Sequence, residues 1–155
     1  MRYLYLLVGI PGSGKSTWIR DHIHDYDSLI SRDTIRFLLV KENEEYFSRE
    51  NEVFEQFIEN IQACLTSDDW DIYVDATHLN EKARNKVLDR LDIPDDVAII
   101  PVYFDVCPEV ALQRNARREG RARVPDSVIL NMYGSLTPPS FKEKHKYAEI
   151  WRIQT

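Results

Sequence analysis

The sequence predicts an α/β fold in one domain over residues 1–155: a parallel sheet of about four to five strands with helices on both faces. Three observations carry that prediction. Short apolar runs alternate with longer stretches of helical period, the pattern of strand–helix–strand crossovers. The first run, residues 3–8, is continuously apolar, as a strand buried on both faces should be. Its end meets VGIPGSGKSTW, which gathers three of the chain's five glycines around one turn.

The elements follow in order. Residues 16–24 read as a helix and 28–31 as a short second strand. Residues 32–40, RDTIRFLLV, open another helix with Asp33 in its first turn, where a carboxylate suits the helix dipole. Residues 44–65 place Val53, Phe54, Phe57, Ile58 and Ile61 at helical spacing and predict one long helix. DIYVDATH, residues 71–78, predicts a third strand with Asp75 at its end. A helix over 81–91 and a fourth strand over 98–105 come next. Residues 108–119 and 126–136 predict two helices joined by an arginine-rich connector. Pro138 and Pro139 break the chain, and 149–154 reads as a last short strand. The aromatic residues Phe54, Phe57, Tyr103 and Phe104 are expected in the core.

Composition narrows the function classes. The net charge of −6 argues against a broad basic face that coats nucleic acid, while permitting a local grip on a few phosphates. Cys64 and Cys107 stand far apart and form no metal-like pair, a usage that fits a reducing cytoplasm. The N-terminal apolar run leads into the glycine turn rather than a small-residue cleavage site. No stretch approaches the roughly 18 apolar residues that cross a membrane, so no membrane partner is expected.

The glycine turn carries the sharpest chemistry. Gly9, Gly14, Lys15 and Ser16 fit G-x-x-x-x-G-K-[ST] in full, after a strand and before a helix, the context that marks a P-loop. Glycines allow successive N–H groups to point inward at phosphate oxygens, and the following helix adds its positive end. The expected nucleotide-binding residues run from Gly9 through Pro11, Gly12, Ser13 and Gly14 to Lys15, Ser16 and Thr17. Lys15 is expected on the β- and γ-phosphates of ATP or another NTP, and the Ser16 hydroxyl on Mg²⁺.

Other candidates are less specific. Asp33 and Arg36 lie three apart near a helix start and share a face. On a cleft they offer a base for a hydroxyl and a fork for a phosphate; spacing alone leaves open a helix cap beside a solvated arginine. Asp75 ends a strand, where P-loop proteins place an acid near the metal, or it is simply a polar strand end. His78 reads first as structural or solvent-facing. RNARREGRARVP holds Arg114, Arg117, Arg118, Arg121 and Arg123 with Glu119 as the single acid. That field suits a lid on ATP phosphates or a nucleic-acid contact better than a solvated face, which would carry more acids.

In order and over nearly the whole chain, GIPGSGKSTW, SRDTIR, DATHLNEKAR, YFDV, QRNARR and VPDSVILNMYGSL resemble the kinase domain of bacteriophage-type polynucleotide kinases. Those enzymes phosphorylate 5′-hydroxyl ends of DNA and RNA. The P-loop is shared by many kinases, and the later motifs narrow the likeness. The resemblance implies a P-loop kinase fold with an arginine-rich lid and catalytic roles for Lys15, Asp33, Arg36 and Arg118. Asp33 would take the proton from the attacking 5′-OH and Arg36 would bind the acceptor's neighbouring phosphate. Arg118 would reach the ATP phosphates from the lid, with Arg114 on the nucleotide side. The implied setting is nucleic-acid end repair in the cytoplasm, that of the host for a phage-encoded enzyme.

Three departures from that pattern stand out. His78 occupies a position where relatives often carry asparagine. The lid RREGRARVP has one residue more than the phage pattern, which leaves Arg117 or Arg118 as the lid arginine. No D-x-D-x-T phosphatase motif occurs, so a kinase alone is expected. The P-loop and the base do not name the acceptor, and a modified base in DNA, a nucleoside or a small metabolite would use the same groups. An ATP-gated binding subunit without transfer is a further reading, against which an intact Asp33 speaks.

Overall fold

The structure is a computed structural model that describes residues 1–67 and 69–155. Strands β1 (Arg2–Val8), β2 (Ser28–Ser31), β3 (Ile72–Asp75), β4 (Val97–Asp105) and β5 (Trp151–Gln154) form one parallel sheet in the order β2-β3-β1-β4-β5. The helices are α1 (Lys15–His22), α2 (Arg32–Leu39), α3 (Glu50–Ser67), α4 (Glu81–Leu88), α5 (Pro108–Ala116) and α6 (Asp126–Ser135). The expected α/β architecture is therefore observed, and it is that of the P-loop kinases. Among the described residues no helix is long and apolar enough to cross a membrane.

Alternation along β1 builds the two layers. Leu4 and Leu6 face one side, packed with Phe57, Ile61, Val74 and Leu88 under α3 and α4. Tyr5 and Leu7 face the other, packed with Trp18, Tyr73, Val102 and Phe104 under α1. A strand covered on both sides must be apolar at every position, which is why residues 4–8 are all fully or almost fully buried. Phe54, Phe57 and Phe104 sit in the core as expected, while Tyr103 is only half-buried. A third cluster of Ile10, Val106, Ala111, Val124 and Ile129 joins the phosphate turn to α5 and α6.

Arg84 fastens the C-terminal segment to this frame. It is fully buried and makes a two-point pair with Glu143 at 3.0 and 2.8 Å. It also donates to the carbonyls of His78 at 2.9 Å and Thr137 at 3.1 Å. That network carries the chain past Pro138 and Pro139 back to the sheet, where β5 pairs with β4.

Several element bounds differ from the expectation. The helix expected over 44–65 begins at Glu50, because 41–49 folds as turns. Glu44 closes the first by giving its N–H to Lys41 O at 3.0 Å and accepting the Lys41 N–H on Oε1 at 3.0 Å. Its carboxylate then accepts from Arg49, which draws the turns together. The strand expected over 71–78 ends at Asp75, and the last strand starts at Trp151 rather than 149. The helix expected over 81–91 stops at Leu88, where three-residue bonds from Arg90 and Leu91 tighten the turn. The helix expected over 108–119 stops at Ala116. Buried Asn115 reaches across to Val124, donating from Nδ2 to its O at 2.6 Å and accepting its N–H at 3.1 Å. That crosslink turns the chain and makes 117–123 a loop with one 3-10 turn, Gly120–Ala122.

Candidate active site

The phosphate turn lies between the central strand β1 and α1. Gly12 has φ +81° and Gly14 +98°, a region that favours glycine. A Cβ on Gly12 would also sit 2.7 Å from the Ala111 carbonyl, so that position has no room for a side chain. The start of the turn is tied to the loop after β3, Gly9 N–H donating to Thr77 O at 3.0 Å. Lys15 folds back over the turn and donates to Gly9 O at 2.6 Å. Arg114 braces it from behind, donating to Gly12 O at 3.1 Å and to Thr155 Oγ1 at 3.3 Å. The Thr155 hydroxyl in turn donates to Ser13 O at 2.8 Å.

Two other strand ends complete the cleft. β2 runs into α2 with no loop between them, because Ser31 caps the helix by accepting Thr34 N–H at 3.3 Å. Asp33 is thereby set in the first helical turn at the carboxyl end of the sheet. Asp75, the last residue of β3, pairs in register with Ser31. Burial raises the Asp75 carboxyl, opposed by the nearby Lys15 charge. Burial also lowers the Lys15 ammonium, opposed by Asp75 and Asp33. Each holds the other in its charged form, as two desolvated opposite charges do.

These walls enclose a cleft of about 590 Å³. It is lined by the turn from Pro11 to Thr17 and by Asp33, Arg36, Asp75, Arg114 and Arg118. Every expected site residue except Gly9 borders this one space, and Gly9 reaches it through its bond from Lys15. Ser16 and Asp75 offer one hydroxyl and one carboxylate oxygen. Mg²⁺ is commonly held by one or two such protein oxygens plus phosphates and water, so this pair fits it.

The five arginines have separate fates. Arg114 braces the turn, and Arg118 lines the cleft, whereas Arg117 and Arg123 are exposed. The alternative between Arg117 and Arg118 is thus decided by position: Arg118 borders the cleft. Arg121 docks on α2, donating to Val40 O at 2.7 Å and lying 5.1 Å from the Phe37 ring centre. The arginine loop consequently reaches from one side of the cleft to the other.

Arg36 is deeply engaged. It is 7% exposed, pairs with Glu50 through Nε and Nη2, and donates from Nη1 to Asp33 Oδ1 at 2.5 Å. His78 is 4% exposed with φ +42°, and its Nδ1–H donates to Leu7 O at 2.6 Å. It is a structural tie between β1 and the loop after β3, and burial lowers its pKa to about 3.

Sequence reasoning missed Tyr46, Phe47, Glu50 and Arg32, all of which border the cleft. Reading 44–65 as one helix hid the first two; the run EEYFSREN, with acids on both sides of an aromatic pair, was the available signal.

The profile of a family described as "AAA domain" matches residues 4–139. No curated protein sequence matches the chain. Among solved structures, a chain of the Pnkp1/Rnl/Hen1 RNA repair complex is similar at TM-score 0.68 and 23% identity. The match covers 87% of this chain, which spans 44% of that one. A fungal RNA kinase is similar at TM-score 0.63 and 13% identity, over 98% of this chain and 74% of its own. A sugar kinase from Janibacter sp. HTCC2649 is similar at TM-score 0.62 and 18% identity, over 99% and 85%. At these identities the likeness is one of fold.

Proposed function

The chain belongs to the AAA domain family and has the P-loop kinase fold, and from that premise we propose that it transfers the γ-phosphate of ATP or another NTP to the 5′-hydroxyl end of DNA or RNA. The observation that carries this reading is that Lys15 and Asp33, far apart in sequence, border one cleft. The sequence motifs resemble polynucleotide kinases, and an RNA kinase and an RNA-repair protein share the fold.

In this mechanism the phosphate turn from Gly9 to Thr17 holds the NTP, with Lys15 on the transferring end. The acceptor oxygen attacks the γ-phosphorus, the bond from that phosphorus to the β–γ bridging oxygen breaks, and the nucleoside diphosphate leaves. Asp33 takes the acceptor proton. Arg118 and Lys15 stabilise the charge spread over the phosphoryl oxygens. Mg²⁺, held by Ser16 and Asp75 with the phosphates, supplies further charge neutralisation. Arg36 has five N–H donors and uses three on Glu50 and Asp33. One on each terminal nitrogen is left for the acceptor's neighbouring phosphate.

The test is transfer from γ-labelled ATP to a panel: a 5′-OH oligonucleotide, a nucleoside 3′-monophosphate, a modified-base duplex, free nucleosides and a simple sugar. Labelling of the oligonucleotide is expected. Labelling confined to the duplex or the small molecules moves the acceptor assignment and keeps the chemistry. ATP binding with no labelled acceptor removes the transfer reading.

A further inference from the structure

We propose that Tyr46 is a positioning residue for phosphoryl transfer: with Arg36 it holds one oxygen of Asp33 and so selects the other as the oxygen that meets the acceptor hydroxyl. The proposal rests on Asp33 being the base, as argued above. The Asp33 side chain is 67% exposed, so packing does not fix its rotamer. Two donors do. Arg36 Nη1 reaches Oδ1 at 2.5 Å and the Tyr46 hydroxyl reaches the same atom at 3.1 Å. Among the described residues Oδ2 has no hydrogen bond. A carboxylate held at one oxygen by two donors from different segments presents the other in a set direction. For proton transfer that direction matters as much as basicity.

Tyr46 is itself held in place. It belongs to the turns of 41–49, and its ring meets Phe37 at 5.4 Å and Phe47 at 5.0 Å between centroids. The Arg36 guanidinium lies 5.2 Å from its centre and that of Arg121 6.0 Å. Arg121 belongs to the same loop as Arg118, so the loop that borders the donor side also touches the ring that orients the base. Burial and the Asp33 charge raise the Tyr46 phenol, which therefore keeps its proton and donates at neutral pH.

Steady-state transfer from ATP to the acceptor that labels in the panel tests this. Tyr46→Phe keeps the ring and removes the hydroxyl alone. Its kcat should fall roughly tenfold, the worth of one hydrogen bond to a charged group, with acceptor KM held within about twofold. Thermal melting checks that the variant is folded. An unchanged kcat, or a change confined to acceptor KM, overturns the proposal. Asp33→Asn serves as the separate control: a variant that still transfers overturns the base assignment, and a panel with no labelled acceptor overturns both.

Discussion

Arg36 and Glu50 form a two-point ion pair between α2 and the first residue of α3, with Nε to Oε2 at 2.8 Å and Nη2 to Oε1 at 2.7 Å. Arg32 adds a longer contact to the same carboxylate at 3.6 Å. The pair fixes α3 against the helix that carries Asp33, and it leaves Nη1 of the arginine aimed at Asp33 itself. One side chain therefore serves both the packing of two helices and the geometry of the proposed base.

Arg36→Ala should reduce transfer to an oligonucleotide much more than basal ATP hydrolysis, because the arginine stands on the acceptor side. It should also lower stability by about 2–3 kcal/mol, since Glu50 loses its fork and Asp33 a donor. Arg36→Lys should not restore transfer, because an ammonium cannot hold a carboxylate at two points. Parallel transfer and hydrolysis assays with urea melts check this; equal loss in both assays would move Arg36 to the ATP side.

Lys15→Ala should lower transfer by about 10²-fold or more while leaving the melting temperature within a few degrees of wild type. The ammonium is desolvated in the folded protein, so its removal relieves a burial cost and deprives only Gly9 O of a partner. A variant keeping more than a tenth of the rate would remove Lys15 from the catalytic set.

His78 predicts an acid limb in stability. Burial and the charges of Lys15, Arg32 and Arg84 lower its pKa to about 3 in the folded state, against an ordinary value near 6.5. The unfolded chain therefore binds the proton first as pH falls. Stability from this group is full above about pH 6.5 and declines by up to about 1.4 kcal/mol per unit down to about pH 3. His78→Asn should flatten that limb: asparagine tolerates positive φ and its amide can donate to Leu7 O. Urea midpoints at pH 7 and pH 5 for both proteins measure it, and an equal drop in the two would acquit the imidazole.

Salt should weaken acceptor binding gently. Arg114 and Arg121 are engaged on backbone carbonyls, and the net charge of −6 leaves no broad basic face. Two or three phosphate contacts, from Arg36 and the exposed Arg117 or Arg123, give a slope of roughly −1.5 to −2 in log K against log salt for a single strand. A slope steeper than about −4, measured by titration at several salt concentrations, would mean an extended track and favour an enzyme acting within a duplex.

Some of this protein was fixed by residues close together in the chain. The phosphate turn is local: glycines, lysine and hydroxyl within one strand–turn–helix unit adopt one geometry, so Gly9 to Thr17 could be assigned before any fold was known. Continuous apolar strands separated by helical periods likewise required a parallel sheet covered on both sides. Only the tertiary structure decided what depends on distant partners. The strand order, with β3 inserted between β1 and β2, brings Asp33 and Asp75 to the same end as Lys15. Five similar arginines became a brace, a cleft residue, a strut onto α2 and two solvated charges according to what lay within reach. Tyr46 looked helical because its neighbours share a long period, yet Glu44 bonds to Lys41 and Arg49 and folds that stretch into turns. Propensity acts over a few residues and is weak. A carboxylate that closes a turn, or an Asn115 that finds Val124 nine residues on, outweighs it once the chain is packed.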